Sequence, residues 1–196
     1  MATAFSGAVP SPSQLAALGT VLCLHRSGAA RELGGWSSAR HAEAHAGLDG
    51  DGMHESLWFF DAGQACCWQL HLLPDSDFLG WERLVRHLPR CSDVAPGGLG
   101  ERLWRGLAQR MRFGAWEASA LRFQTVRVAA GTGAGMLVAS LGSLSPLGAE
   151  CARRIACRQG VALGASLDAY RSHRAAGSAR RADVDPVAWR MRMPLS

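Results

Sequence analysis

The segment ESLWFFDAGQACCWQLHLL, residues 55–73, decides the fold of this chain. Two apolar, β-prone runs flank the four-residue turn DAGQ at residues 61–64. A glycine-containing turn of this length between two such runs is typical of a β-hairpin. The first arm concentrates Trp58, Phe59 and Phe60, which are too apolar to remain in water. We therefore predict that the hairpin is the centre of a sheet that another element covers.

The segment after the hairpin predicts the covering element. Pro74 ends the second arm, and the short acceptor side chains of residues 75–77 are typical of a helix N-terminus, because they bond the free amides of the first turn. The apolar residues that then recur at helical spacing are Phe78, Trp81, Leu84, Val85 and Leu88. This pattern predicts an amphipathic helix over residues 77–88 that packs on the aromatic face of the hairpin.

The rest of the chain predicts one α+β domain. Upstream, Ser13 caps a short helix over residues 15–18, residues 20–25 form the first strand, and residues 37–38 cap a short helix that carries His41 and His45. Downstream, the sequence predicts helices over residues 101–113 and 149–158 and strands over residues 121–129 and 161–167. We assign residues 1–14 to a flexible leader, residues 15–170 to a single α+β domain with helices packed on an antiparallel sheet, and residues 171–196 to a basic, mobile tail.

Composition and charge limit the function classes. The chain has 196 residues, of which 48% are hydrophobic and 19% charged, as in one globular domain. Its net charge is +5 and every basic side chain is Arg, but the Arg residues are spread along the chain, which argues against a nucleic-acid surface. The start lacks an export signal, and the uncharged stretch at residues 128–149 is broken by Gly, Ser and Pro146. We therefore expect no membrane span and, with six cysteines in no C-x-x-C pair, a reducing, cytoplasmic location.

Three segments together resemble a known family. The first segment runs from ESLWFFD at residues 55–61 through the second arm to residue 73, and Ser76-Asp77 then opens a helix through residues 81–85. This order is similar to the S-L-Q-F-F-D hairpin-plus-helix unit of bacterial haem-utilisation proteins. These are cytoplasmic hemin-transport and haem-degrading proteins and their shorter, single-module relatives. LGTVLCLHR at residues 18–26 is similar to the L-G-x-V-x-x-L-T-R-N segment that leads into the same unit. The resemblance covers residues 15–88, under half of the chain.

The resemblance implies a haem-binding protein of iron acquisition. It implies that haem is held between a curved antiparallel sheet and helices, and that a haem-uptake or haem-delivery protein is the partner. The protein would either carry or degrade haem. Whether it forms a homodimer is left open. Two features depart from the family pattern: the aromatic W-x-x-G-F/Y segment is shortened to the turn at residues 47–53, and no G-N-x-G-C-I-Q-I-H-like strand follows residue 121. A second interpretation is therefore a structural or interaction module of the same fold that has lost its ligand.

Three histidines are candidate axial ligands of haem iron, which takes a neutral imidazole, a thiolate or a tyrosine. His41 and His45 are four residues apart, so on the predicted helix both rings point the same way and could share a metal. The alternative is a solvated pair beside Glu43. His71 lies on the second hairpin arm between two leucines that face the other way, so it could enter a pocket. The alternative for His71 is a half-buried, hydrogen-bonded histidine.

A nucleotide-binding enzyme is a further alternative. VRVAAGTGAG at residues 126–135 is a β run that enters a glycine-rich turn, Gly131 to Gly135, which could bring backbone amides to a phosphate. The spacing lacks the full G-x-G-x-x-G, and Gly142 and Pro146 make the following segment a poor helix. A loop between two strands is the preferred interpretation. The sequence shows no constellation of carboxylates or of a nucleophile beside a histidine, so we predict no catalytic residues.

Overall fold

The computed structural model describes residues 8–27, 32–49, 52–92, 116–127, 135–164 and 167. The described helices are α1 (Pro12–Ala16), α2 (Gly34–Ser38), α3 (Phe78–Val85) and α4 (Pro146–Gln159). The described strands are β1 (Thr20–Arg26), β2 (His41–Asp49), β3 (Gly52–Phe60), β4 (Cys66–His71), β5 (Arg90–Ser92), β6 (Trp116–Arg127), β7 (Gly135–Leu141) and β8 (Ala162–Leu163).

The strands form a single sheet in the order β5-β2-β3-β4-β1-β6-β7, with β8 paired to β6. All neighbours in this order are antiparallel except β2 and β5, and β8 is also parallel to β6. The sheet curls into a half-barrel, and a few helices accompany it. The predicted α+β class with a curved, mostly antiparallel sheet is therefore confirmed.

The hairpin lies in the middle of the sheet, as predicted, with β3 and β4 as its arms. The carboxylate of Asp61 holds the turn by accepting hydrogen bonds from the amides of Gly63 and Ala65, at 2.8 and 3.0 Å. Alternation along the strands divides the aromatic residues between the two faces. Phe59 is fully buried and packs edge-on against Trp68, with ring centroids 4.9 Å apart. The two residues beside Phe59 on β3 face the other side and are half-buried.

Helix α3 covers the face that carries Phe59, as the sequence predicts. The buried residues that it brings to this core are Trp81, Leu84 and Val85, joined by Leu88 just beyond its end. Asp77 caps the helix by accepting from the amide of Gly80 at 2.8 Å. Phe78, which the spacing places in the apolar stripe, is instead 56% exposed, because the first helical residue projects past the edge of the core.

The predicted helix over His41 and His45 is wrong, because this segment is strand β2. The sequence HAEAHA alternates strictly between small apolar and polar residues, and a period of two suits a strand with one buried face. Ala42 and Ala44 are buried against the α3 core, whereas the polar residues point to the opposite face. The serines at residues 37–38 end helix α2 rather than begin a helix.

Helix α1 also differs from the prediction at its start. Ser11, not Ser13, is the N-cap, and it forms a reciprocal capping box with Gln14. The helix predicted over residues 101–113, the tail at residues 171–196 and residues 1–7 of the leader lie outside the described residues. Among the described helices, none is both long enough and apolar enough to span a bilayer.

The second half of the chain adds an antiparallel strand pair and a helix. Strand β6 begins at Trp116, earlier than predicted, and pairs along its second half with β7. Strand β7 begins at Gly135, the last residue of the glycine-rich stretch, so a strand stands where a phosphate loop requires a helix. The helix predicted over residues 149–158 is present as α4, which begins earlier, at Pro146 with Ser145 as its cap, and ends before Gly160 in the left-handed conformation. Of the described residues in the predicted final strand, Ala162–Leu163 are paired.

A tight corner after β4 joins the first half of the fold. The hydroxyl of Ser76 donates to the carbonyl of Thr20 at 2.7 Å and accepts from the amide of Leu73 at 2.9 Å. The next residue, Asp77, donates its amide to the carbonyl of Leu18 at 2.8 Å. The corner therefore fixes the end of β4 to the start of β1 before α3 begins.

The same corner also holds helix α4. The Asp75 carboxylate accepts from the amide of Ser145 at 2.9 Å and from its hydroxyl at 3.2 Å. Gly148 lies directly against this carboxylate, and a Cβ atom at residue 148 would collide with it. An acceptor 70 residues away in sequence thus helps to cap α4. The helix in turn packs Ala152 and Ala156 into a second core with β1 and β6.

We predict that Ser76→Ala lowers the free energy of unfolding by about 2–4 kcal/mol, because it leaves the buried amide of Leu73 and carbonyl of Thr20 without this partner. Urea unfolding followed by circular dichroism measures the change. Ser140→Ala is the matched control, since this exposed hydroxyl also donates to a carbonyl, that of Arg122, at 3.3 Å. Equal losses in the two variants would contradict a special role for the corner.

Candidate functional site

The sheet face opposite α3 carries the polar and aromatic residues of β2, β3 and β4. In the strand register, His41 lies opposite Phe60, Glu43 opposite Trp58, and His45 opposite Ser56. Directly opposite residues point to the same side of a sheet. We call this surface the histidine face. Its members are His41, Glu43 and His45 on β2, Ser56, Trp58 and Phe60 on β3, and Gln69 and His71 on β4.

The structure thus brings all three predicted ligands to one face. Ser56 lies between His45 and His71, opposite each of them in the register, so these three residues form one row across three strands. The spacing within β2 corrects the sequence-based expectation for the pair His41 and His45. Four residues span about 13 Å along a strand, against about 6 Å on a helix face. The two imidazoles therefore share a face, but their backbone positions are farther apart than on a helix, and the group of potential metal ligands that includes His45 does not include His41.

The side chain of His41 is largely enclosed but partly accessible. Its ring stacks on that of Phe60, with centroids 4.8 Å apart and an interplanar angle of 9°. Its Nε2 atom is 3.9 Å from Oε1 of Glu43, and its side chain keeps 11% of its surface accessible. Among the described residues, neither ring nitrogen of His41 makes a hydrogen bond. The ring is thus held by stacking, which leaves its nitrogen lone pair for another group.

His45 is held more tightly. Its ring stacks on Trp58 at 4.4 Å, and its Nε2 atom lies 3.5 Å from Oε2 of Glu43. Both of its ring nitrogens are shielded from solvent. Glu43 thus lies between the two histidines of β2, with one carboxylate oxygen towards each ring. The predicted solvated pair does not describe these two side chains, because both are largely enclosed.

His71 is part of the core. It is 3% exposed, and its Nε2 atom is 3.3 Å from Oε1 of Gln69. Burial, together with a smaller effect of the nearby His54, lowers the pKa of His71 from 6.5 to about 3. The ring is therefore neutral at physiological pH. This geometry favours the alternative in which His71 is a buried, hydrogen-bonded histidine rather than a ligand.

A cavity of about 380 Å³ lies on the α3 side of the sheet, next to β2. Its apolar wall includes Ala44, Trp81 and Val85, and Arg86 and Arg90 supply positive charge. His45 borders this cavity, but alternation along β2 directs its imidazole to the opposite face, where it stacks on Trp58. The cavity and the histidine rings are therefore separated by the sheet.

Sequence reasoning missed two residues of this region. Glu43 enters the sequence-based prediction only as a neighbour of the possible solvated histidine pair, although the alternation His-x-Glu-x-His on a strand places a carboxylate between two imidazoles. Cys91 comes beside His45 because β5 pairs in parallel with β2, and no local signal in the sequence indicates this long-range pairing. The adjacent Cys66 and Cys67 are both buried. Burial raises the pKa of the Cys66 thiol to about 12, which keeps it protonated.

Comparisons with protein-family models, curated proteins and solved structures found no match to this chain. The resemblance of residues 15–88 to haem-utilisation proteins therefore stays a prediction.

We predict that His71 makes stability depend on pH. Because the pKa of His71 is about 3 in the folded protein and 6.5 when unperturbed, the unfolded chain binds one more proton at this residue between these values. The free energy of unfolding should therefore fall as the pH drops below 6.5, with a contribution from His71 of up to about 1.4 kcal/mol per pH unit. Urea unfolding across this range measures the slope.

His71→Gln should remove this part of the slope, whatever its effect on stability at neutral pH. His87→Gln is the control, because His87 is exposed. Parallel pH profiles for the wild-type protein and His71→Gln would show that the buried imidazole is not the titrating group.

Proposed function

We propose that this protein binds haem on the histidine face and serves to carry haem within the cell for iron use. The proposal combines the resemblance of the hairpin-plus-helix unit with the placement of His41, His45 and His71 on one face of a curled sheet. Cytoplasmic haem trafficking, with a haem-uptake or haem-delivery protein as partner, is what the resemblance implies. Degradation of haem stays open under the same proposal.

His41 carries the proposal as the axial ligand. Haem iron takes a neutral imidazole whose lone pair is free. Among the described residues, His41 combines a partly accessible ring with nitrogens that make no hydrogen bond. Its stacking on Phe60 fixes the plane of the ring, so less conformational freedom is lost on binding. His71 fits the role poorly because it is enclosed and bonded to Gln69.

The surroundings of His41 suit a flat, apolar ligand with two carboxylates. Phe60 and Trp58 are half-buried on the same face and offer aromatic surface to a macrocycle. Arg40 precedes His41 and is exposed, with one guanidinium nitrogen on the carbonyl of Ala39 at 3.1 Å. Its remaining donors can bond a propionate bidentately. Bound haem would supply a redox-active iron, and these residues would bind and orient it.

The test is a titration of the purified protein with hemin, followed by the Soret band. We expect a saturable, stoichiometric shift in the wild-type protein and at least about tenfold weaker binding in His41→Ala, equivalent to about 1.4 kcal/mol. His87→Ala is the matched control, since it removes an exposed histidine from a different surface.

Two outcomes would redirect the proposal. If His41→Ala binds hemin like the wild-type protein, His41 is not the axial ligand. The same titration of His45→Ala and His71→Ala would then identify the residue that is. Absence of any stoichiometric shift in the wild-type protein would contradict haem binding and favour the module that has lost its ligand.

A further inference from the structure

We propose that Glu43, His45 and Cys91 form a binding site for a divalent transition-metal ion, with Zn²⁺ as the preferred ion. Each residue offers one donor atom, and the three atoms lie within 4.8 Å of one another. The three donors do not include the proposed haem ligand His41, whose Nε2 atom is 3.9 Å from the other carboxylate oxygen of Glu43, Oε1. The inference does not depend on haem binding.

The distances fit a tetrahedral ion. Oε2 of Glu43 is 3.5 Å from Nε2 of His45 and 3.4 Å from Sγ of Cys91. Zinc bonds to nitrogen, oxygen and sulfur are about 2.0–2.3 Å long, so the donors around a tetrahedral zinc are about 3.3–3.8 Å apart. The two distances that involve Glu43 already lie in this range. An ion can therefore enter with small side-chain movements and no change of the backbone.

Two strands of the sheet place the donors. Glu43 and His45 are two residues apart on β2 and so point to the same face, and Cys91 is the register partner of His45 on β5. The amide of Ala44 donates to the carbonyl of Pro89 at 2.8 Å, which fixes β5 against β2. Trp58 stacks on the imidazole of His45 and limits its rotation. The cluster is thus pre-organised by the backbone and by one aromatic contact.

The donor set selects the kind of ion. One thiolate, one imidazole and one carboxylate suit Zn²⁺ and similar borderline ions, whereas Mg²⁺ and Ca²⁺ prefer oxygen ligands. The side chains of Glu43 and His45 are only 21% and 13% exposed, so charges at this site are partly shielded from water. A fourth position remains for water or another donor, as in zinc sites that exchange ligands.

Binding at this site requires the loss of one proton. The Cys91 thiol donates to the Glu43 carboxylate, so the ion replaces the proton that now lies between sulfur and oxygen. The thiol becomes a thiolate bound to the metal, its proton goes to solvent, and no electron is transferred. Affinity should therefore rise with pH.

The test uses Co²⁺ and Zn²⁺ with the metal-free, reduced full-length protein. We expect one equivalent of Co²⁺ to give the absorption bands of a four-coordinate ion together with a thiolate-to-cobalt charge-transfer band, and Zn²⁺ to displace it. Cys91→Ser should abolish the charge-transfer band and weaken Zn²⁺ binding at least tenfold, since even loss of an outer-shell partner costs about 10–100-fold. Glu43→Gln, which keeps the side-chain shape, should weaken Zn²⁺ binding similarly.

Cys157→Ser is the matched control, because Cys157 is an exposed cysteine on α4, and it should bind both ions like the wild-type protein. Absence of the charge-transfer band in the wild-type protein, or its persistence in Cys91→Ser, would overturn the site and leave an ordinary hydrogen-bonded cluster. Hemin titration of Cys91→Ser separates the two proposals. It should match the wild-type titration, whereas His41→Ala should lose hemin affinity and keep Zn²⁺ binding.

Discussion

The rest of the structure depends on the hydrogen bonds of the corner that follows β4. Three consecutive residues there bind three different parts of the chain: Asp75 caps α4, Ser76 joins β4 to β1, and Asp77 both caps α3 and bonds the segment before β1. Ser76 is buried and Asp75 is half-buried, so their polar groups need protein partners. The corner therefore sets where both cores form, one under α3 and one under α4.

The period of two along β2 and β3 separates packing from chemistry. One face of these strands gives alanine, leucine and phenylalanine to the α3 core, and the other face gathers histidine, glutamate and tryptophan. The small size of Ala42 and Ala44 allows close packing next to Phe59 and Leu57, their partners on β3. Because the core face is fixed by burial, a shift of one residue in register would turn the histidines towards the α3 core and the apolar side chains away from it. The position of the histidine face thus follows from the hydrophobic pattern.

The sequence predicted the local elements well where two signals agreed. At the hairpin and α3, turn residues, a cap and hydrophobic spacing all indicated the same elements, and the structure has them. At residues 37–45, the helix-favouring alanines and glutamate conflicted with strict alternation, and alternation prevailed because it buries one complete face. Long-range contacts had no local signal. The link from Asp75 to Ser145 spans 70 residues, and the parallel pairing of His45 with Cys91 joins segments about 45 residues apart.

Within the described part of the chain, strand β5 contributes three residues, which pair in parallel at the end of the strand order, and parallel pairing is slightly the weaker kind. Its local opening would carry Cys91 away from His45 while both cores stay intact. The equilibrium between the paired and the open state of β5 therefore also determines whether Glu43, His45 and Cys91 lie close together. An ion bound by both strands would stabilise the paired state of β5. Ion binding would therefore slow the exchange of the amide hydrogens at this sheet edge rather than raise the stability of the whole domain.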